Sequence, residues 1–221
     1  TPRLYVEQPL TVGARVTLPT PASHYLASVM RMAAGDSLRV FDDIGGEFHA
    51  QIAGAARKAV AIDIVALLHP REPVADIWLC VAPIKRGRID LVAEKACELG
   101  AAKLLPVITA RTIVDKLNLD RLRANMIEAA EQCGRTALPE LAEPVALAKL
   151  LREWPADRAL LFADEEGGAP LTADLCRAPA AILIGPEGGF TTAERDTIRA
   201  HRQAVAITLG PRILRAETAA I

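Results

Sequence analysis

Aromatic side chains are scarce. Two Trp, two Tyr and four Phe make up 4% of the 221 residues, so any core has to be built mainly from Ala, Val, Leu and Ile. Neither sign of charge is in surplus: 26 Lys+Arg against 27 Asp+Glu give a formal charge of −1. The strongly basic signature of a nucleic-acid binder is therefore missing, and any phosphate partner has to be held by a local patch. Cysteine is limited to Cys80, Cys97, Cys133 and Cys176, with no CxxC pair. The histidines are scattered, without HxxxH or HxH, so no structural metal and no redox motif is expected. Three of the cysteines fall in apolar stretches and read as small core residues of a reducing compartment. No apolar run approaches the ~20 residues of a membrane span. The most apolar one, Ala59 to Leu68, is interrupted by Asp63. The opening TPRLYVEQPL lacks the apolar segment of a secretion signal, which leaves a cytoplasmic protein as the expectation.

What is present is the balance of a globule, 51% hydrophobic and 24% charged, which excludes disorder. The prolines of His69-Pro70-Arg71-Glu72-Pro73 mark a short linker. Before it, strands are expected over Ala14–Leu18, Ser37–Asp43, Glu47–Ala53 and Ala59–Leu68, with a hairpin turn at Gly45-Gly46. Ser23 reads as the N-cap of a helix carrying Leu26, Val29, Met30 and Ala33, stopped by Gly35. This is the pattern of a small closed or half-open barrel.

After the linker, apolar strands alternate with helices. Strands are expected at Asp76–Ile84, Lys103–Ile108, Ala159–Ala163, Ala180–Ile184 and Ala204–Leu209. Helices are expected at Gly87–Leu99, from Asn118 to Cys133, at Pro144–Trp154, and at 192–202 behind the capping box Thr191-x-x-Glu194. Buried strands joined by helical crossovers imply an α/β domain with a parallel sheet. Ligands of such sheets bind beyond the carboxyl ends of the strands. Three loops there are rich in glycine or charge: Asp164-Glu165-Glu166-Gly167-Gly168, Gly185-Pro186-Glu187-Gly188-Gly189-Phe190, and Gly210 to Thr218. They read either as ordinary turns or as a cradle of main-chain groups for a flat heterocycle. GxGxxG, GxxxxGK[ST] and GxSxG are all absent, which argues against a Rossmann dehydrogenase, a P-loop NTPase and an α/β-hydrolase.

Ile184-Gly-Pro-Glu-Gly-Gly-Phe190 with Leu209-Gly-Pro-Arg-Ile-Leu-Arg-Ala-Glu-Thr218 closely resembles the RsmE family of 16S ribosomal RNA uridine-N3 methyltransferases, within the SPOUT superfamily. Glu128-Ala-Ala-Glu-Gln-Cys-Gly-Arg135 with Pro139, Lys95-Ala-Cys-Glu-Leu-Gly100, and Arg3-Leu-Tyr followed by His24-Tyr-Leu and Arg31 are similar to the same pattern. The resemblance runs through essentially the whole chain in order. It implies a PUA-like RNA-binding β-barrel over 1–70 and a SPOUT-type methyltransferase domain over 74–221, with a C-terminal deep trefoil knot and a last helix incomplete at Ile221. It implies S-adenosylmethionine held by Ile184, Gly185, Pro186, Glu187, Gly188 and Gly189 from one loop and Leu209, Gly210, Ile213, Leu214 and Thr218 from the other. It also implies a homodimer, and 16S rRNA of the small ribosomal subunit as substrate, with no membrane and no metal.

Methylating N3 requires loss of its proton and stabilisation of the resulting negative charge, so cations and a proton acceptor near the cofactor are sought. Arg212, Arg215, Glu217 and Arg111 are the catalytic candidates. Arg212 and Arg215 also fit plain loop arginines paired to Glu187 or Glu217, and Glu217 fits a carboxylate that fixes an arginine. Arg3, Arg31, Arg39, Lys85, Arg86, Arg88 and Arg135 are the candidates for RNA phosphate. A non-catalytic RNA-binding protein of the same fold is the alternative reading, and the intact glycine loops argue against it.

Overall fold

A computed structural model describes residues 1–56, 59–85, 87–114 and 116–221. The chain divides into two compact units, Thr1–Pro73 with Ala130–Leu138, and Val74–Ala129 with Pro139–Ile221.

The first unit holds β1 (Arg3–Tyr5), β2 (Arg15–Thr17), α1 (Thr20–His24), β3 (Ser37–Phe41), β4 (Gly46–Ala56) and β5 (Ala59–Pro70). They form one sheet in the order β1-β3-β4-β5-β2, antiparallel except for β1 beside β3. Alternate residues of β3 and β5 (Leu38, Val40, Ile62, Ile64) point into a core closed by Leu26. Three register shifts along β4 and β5 curl the hairpin, since each extra residue bends its strand. Gly46 has φ +121, and a Cβ there would lie 2.2 Å from the His69 carbonyl oxygen, so only glycine fits. The turn before it is held by buried Asp42, whose Oδ1 accepts from the amides of Ile44, Gly45 and Gly46.

Ser23 does not cap a helix. The helix starts one turn earlier, after Pro19 and with Pro21 in its first turn, and runs into a π-helical turn over Tyr25–Val29. Ser23 is buried inside it, donating to Leu18 O at 3.0 Å and accepting from Val60 N at 3.0 Å. Strand β5 continues to Pro70, so the first residues of the expected linker belong to the sheet.

The second unit holds β6 (Ile77–Val81), α2 (Arg88–Glu98), β7 (Lys103–Ile108), β8 (Glu140–Leu141), β9 (Val145–Ala146), α4 (Leu147–Arg152), β10 (Ala159–Ala163), β11 (Ala169–Pro170), β12 (Ala180–Ile184), α5 (Thr192–Arg199), β13 (Ala204–Thr208) and α6 (Ala216–Ala219). Helix α3 (Leu119–Cys133) is the element that both units share in sequence. Asn118 begins it as expected, its Oδ1 accepting from Arg121 N at 2.9 Å. The sheet is parallel in the order β11-β13-β10-β12-β6-β7-β8, with β9 also paired to β7. The helix expected over Pro144–Trp154 is shorter, because Val145 and Ala146 pair with Val107 and Ile108 before α4 begins.

Strand residues Leu160, Phe162, Ala181, Leu183 and Cys80 face α4 and α5 residues in the core. Cys80 and Cys97 are buried, whereas Cys133 is exposed and Cys176 half-buried, so two cysteines rather than three serve as core. Burial pushes the Cys80 thiol up to about 12, which keeps it an unreactive packing group.

Candidate active site

Beyond the carboxyl ends of β10, β12 and β13, three loops enclose a cleft of about 410 Å³. That is the size class of a small-molecule site. Every residue expected to hold the cofactor lines it except Gly188 and Thr218. The Gly188 carbonyl accepts instead from Arg111 Nη1 at 2.6 Å. Thr218 is exposed on α6.

Local rules explain the loop after β12. Gly189 N donates to Pro186 O at 2.9 Å, closing a tight turn. Phe190 is buried, edge-on to Phe162, and its ring lies 3.0 Å from where a Cβ at Gly185 would stand. The ring thus anchors the far end of the loop on the core and requires a bare backbone at its near end. Gly189 has φ +66, and a Cβ there would lie 2.6 Å from Glu165 Oε1. Across the cleft, Gly210 has φ +111 with open space around it, so its conformation and not its room demands glycine. Gly185, Gly189 and Gly210 thus present bare backbone to a cleft otherwise lined by side chains such as Ile184, Leu209 and Leu214, a surface that fits a flat nucleoside-like ligand.

The loop after β10 contributes charge. Asp164 has no exposed side-chain area, and its Oδ2 accepts from Arg199 Nη2 at 2.6 Å. Arg195 is 7% exposed and lines the cleft. Its Nη2 lies 2.9 Å from Glu165 Oε1 and its Nη1 2.5 Å from Glu166 Oε1. Its buried Nε stands 3.1 Å from Asp164 Oδ1 without the alignment of a hydrogen bond. Sequence reading missed Arg195 and Arg199. The signal was their spacing of four on one helix opposite three consecutive acids after a strand.

Helix α5 starts with the expected capping box: Glu194 N donates to Thr191 Oγ1, and Glu194 Oε2 accepts from Thr191 N. The other oxygen of Glu194 accepts from Ala110 N at 2.7 Å, which ties the loop after β7 to the helix. Burial alone would raise the Glu194 carboxyl. The amides of Ala110 and Thr191, the Thr191 hydroxyl and nearby Arg111 outweigh it and hold the group below the ordinary carboxylate value.

Arg212 and Arg215 line the cleft, are exposed, and have no ion-pair partner among the described residues. The acids offered to them as partners pair elsewhere. Arg88 stands 3.4 Å from Glu217 Oε1 and 3.9 Å from Glu187 Oε1, and Glu217 Oε2 is buried without a donor. Glu217 is outside the cleft lining.

The residues expected on RNA separate into two groups. Arg31, Arg39 and Lys85 are exposed, Arg39 with Glu47 at 3.7 Å. Arg3 is taken up inside the first unit, where it donates to the Ala130 and Arg135 carbonyls, pairs with Glu47 at 3.2 Å and stacks 3.9 Å from the Phe41 ring centroid. Arg135 is half-buried beside Glu72 at 3.4 Å. Arg88 is engaged by the two acids, and Arg86 lies outside the described residues. Among the described residues no group of three His, Cys, Asp or Glu is arranged to hold a metal, and no helix is long and apolar enough to cross a membrane.

The RNA methyltransferase domain family matches residues 70–221, and the RNA methyltransferase PUA domain matches residues 18–65. The ribosomal RNA small subunit methyltransferase E of Rickettsia conorii is 30% identical over 99% of this chain and 91% of its own length. The protein of that name from Synechocystis is 32% identical over 98% of this chain and 74% of its own. The ribosomal RNA small subunit methyltransferase E of Neisseria gonorrhoeae, solved bound to S-adenosyl methionine, superposes with a TM-score of 0.86 at 28% identity, covering 99% and 93% of the two chains. A Legionella pneumophila structure, described as a methyltransferase in complex with bound SAM, gives 0.87 at 32% identity over 100% and 93%. The chain belongs to the RNA methyltransferase family, as an RNA methyltransferase similar throughout its length to the small-subunit ribosomal RNA enzymes E.

Proposed function

We propose that this chain methylates N3 of a uridine in 16S ribosomal RNA of the small subunit, with S-adenosylmethionine as donor, in the cytoplasm. The observation that carries the reading is the convergence of three loops on one cleft, to which Gly185, Gly189 and Gly210 present bare backbone. Residues 74–221 are the transferase domain in this reading, and 1–70 the PUA-like domain that grips RNA. The knotted threading and the homodimer implied by the family resemblance belong to the same proposal, and sedimentation equilibrium tests the dimer.

Bound between Gly185–Gly189 and Leu209–Leu214, S-adenosylmethionine supplies a methyl group already activated on a sulfonium. Arg212 and Arg215 supply positive charge at the mouth of the cleft, where it favours loss of the N3 proton and stabilises the charge that spreads to the uracil carbonyl oxygens. Arg111 fixes the Gly188 carbonyl and so the shape of the cofactor loop. Glu217 holds Arg88 beside the final loop. Lys85, Arg31 and Arg39 remain as exposed cations for phosphate.

Calorimetric titration with S-adenosylmethionine tests the cradle, using wild type beside Gly185→Val and Gly210→Val. Saturable binding by wild type and its loss in folded variants is the expected result, followed by methyl transfer to N3 on small ribosomal subunits. A folded wild type that binds no cofactor overturns the reading.

A further inference from the structure

The loop after β10 is held more firmly than a spacer between strands needs. Asp164 N donates to Ile207 O at 3.0 Å, and Gly167 N closes a turn on Asp164 O at 3.0 Å. At its far end Gly168 lies flat on β13, where a Cβ would stand 2.3 Å from the Ala206 carbonyl oxygen. Arg195 and Arg199 then brace the three acids from α5. Within this frame the carboxylates differ. Asp164 is consumed by the brace, since both oxygens accept from neighbours: Oδ1 from Glu166 N and Oδ2 from Arg199. Glu165 is half-exposed and lines the cleft with one oxygen on Arg195 Nη2, and its Oε2 has no hydrogen-bond partner among the described residues. The same carboxylate lies against the Gly189 turn, at the place a side chain there would occupy.

We propose that Glu165 is the acceptor for the ribose hydroxyls of the nucleoside held in this cleft, and that Arg195 is the positioning residue that presents it. The proposal rests on the cofactor reading above. A carboxylate at the end of a strand, across a glycine turn, suits a vicinal diol, which donates two hydrogen bonds to one acidic group. The brace favours a neutral donor over the cationic amino-acid end of the cofactor. The guanidinium of Arg195 stands 2.9 Å from Glu165 and offsets its charge, so an ammonium placed there gains less than it would from an unpaired carboxylate. Arg195 is 7% exposed, so the donor is held in place, while the Glu165 carboxylate at 46% exposure stays open to the cleft.

The test is calorimetric titration of the full chain with S-adenosylmethionine and with 5′-methylthioadenosine, which keeps the ribose and lacks the amino-acid end. Wild type is compared with Glu165→Gln, with an unchanged melting temperature as the folding control. Glu165→Gln is expected to weaken both ligands alike, by about tenfold to a hundredfold for a lost charged hydrogen bond. Arg195→Lys keeps the charge and loses the fork, and it is expected to weaken both ligands in the same ratio but less. Should only S-adenosylmethionine weaken, Glu165 meets the amino-acid end and the ribose assignment is overturned. Unchanged affinity for both ligands overturns any contact with Glu165 while leaving the cofactor reading intact. A folded wild type that binds neither ligand removes both readings.

Discussion

The two ends of the parallel sheet are built on opposite principles. At the amino ends of β6, β7, β10 and β12 the space is filled by large side chains that satisfy one another. Arg158 lies 3.7 Å from the Trp78 ring centroid and Lys103 4.2 Å from it, while Trp154 meets Trp78 edge-on at 6.1 Å. The Arg158 guanidinium donates to the carbonyls of Asp76 and Ala180 and to Asp76 Oδ2, and Trp154 Nε1 donates to Arg158 O. At the carboxyl ends a cleft stays open: Gly185, Gly189 and Gly210 present bare backbone to it among apolar and charged side chains, and Ile213 is left 83% exposed. One end joins the strands and the other is kept open for a ligand, as the placement of sites in open α/β sheets requires.

Phe190 is where the open end borrows from the core, so its removal is expected to have the largest effect. Phe190→Ala deletes a buried ring packed on Phe162 and should cost about 3 kcal/mol or more in urea melts. Cofactor affinity should fall with it, since the ring also fixes Gly185. A variant that loses stability and binds S-adenosylmethionine normally would break the link between core and cradle. The complementary change is Arg158→Met at the closed end. It leaves the Asp76 carboxyl, which the Arg158 guanidinium holds below its ordinary value, without its main partner. A loss of about 2 kcal/mol is expected, below the range for fully buried pairs because Asp76 is half-exposed. Cofactor affinity measured on the folded variant should not change. If it falls as it does for Phe190→Ala, the two ends are not separate in function.

The same contrast explains what could be read in the sequence. Strands β10 and β12 have the expected bounds, because short apolar runs bounded by Pro, Gly or charged residues leave little choice. The capping box at Thr191 and the cap at Asn118 are local and were legible for that reason. The glycine loops were legible as turns or a cradle beyond strand ends, and the structure brings them to one cleft. Partners distant in sequence were not legible. Ser23 looks like a cap until Val60, 37 residues on, takes its hydroxyl. Arg3 looks like a phosphate ligand until Ala130 and Arg135, more than a hundred residues away, take its guanidinium. Nothing local singles out Arg195 and Arg199, because only the fold brings Asp164 to them.

A smaller effect separates a brace from an RNA contact at the open end. Arg111 Nη1 donates to the Gly188 carbonyl, and Arg111→Ala should weaken S-adenosylmethionine by about 1 kcal/mol, or roughly fivefold, with no RNA present. Stability should change little, since the side chain is exposed. Normal cofactor affinity combined with a lower salt dependence of RNA binding would return Arg111 to the phosphate contacts.

The smallest expected effect concerns pH and tests whether Glu194 fastens the loop after β7 to α5 through its charge. Its folded-state pKa lies below the ordinary carboxylate value of about 4.3, so the folded state holds the ionised form more strongly than the unfolded chain does. The resulting stabilisation is complete above that ordinary value and disappears as pH falls through the lower, folded-state one. Glu194→Gln keeps an acceptor for Ala110 N and removes the charge. The stability gap between wild type and variant, measured by urea melts at pH 6, pH 4.5 and pH 3, should therefore be widest at pH 6 and close towards pH 3. A gap that stays constant across this series would mean that shape alone holds the loop, and the open end would then be organised without electrostatics at this joint.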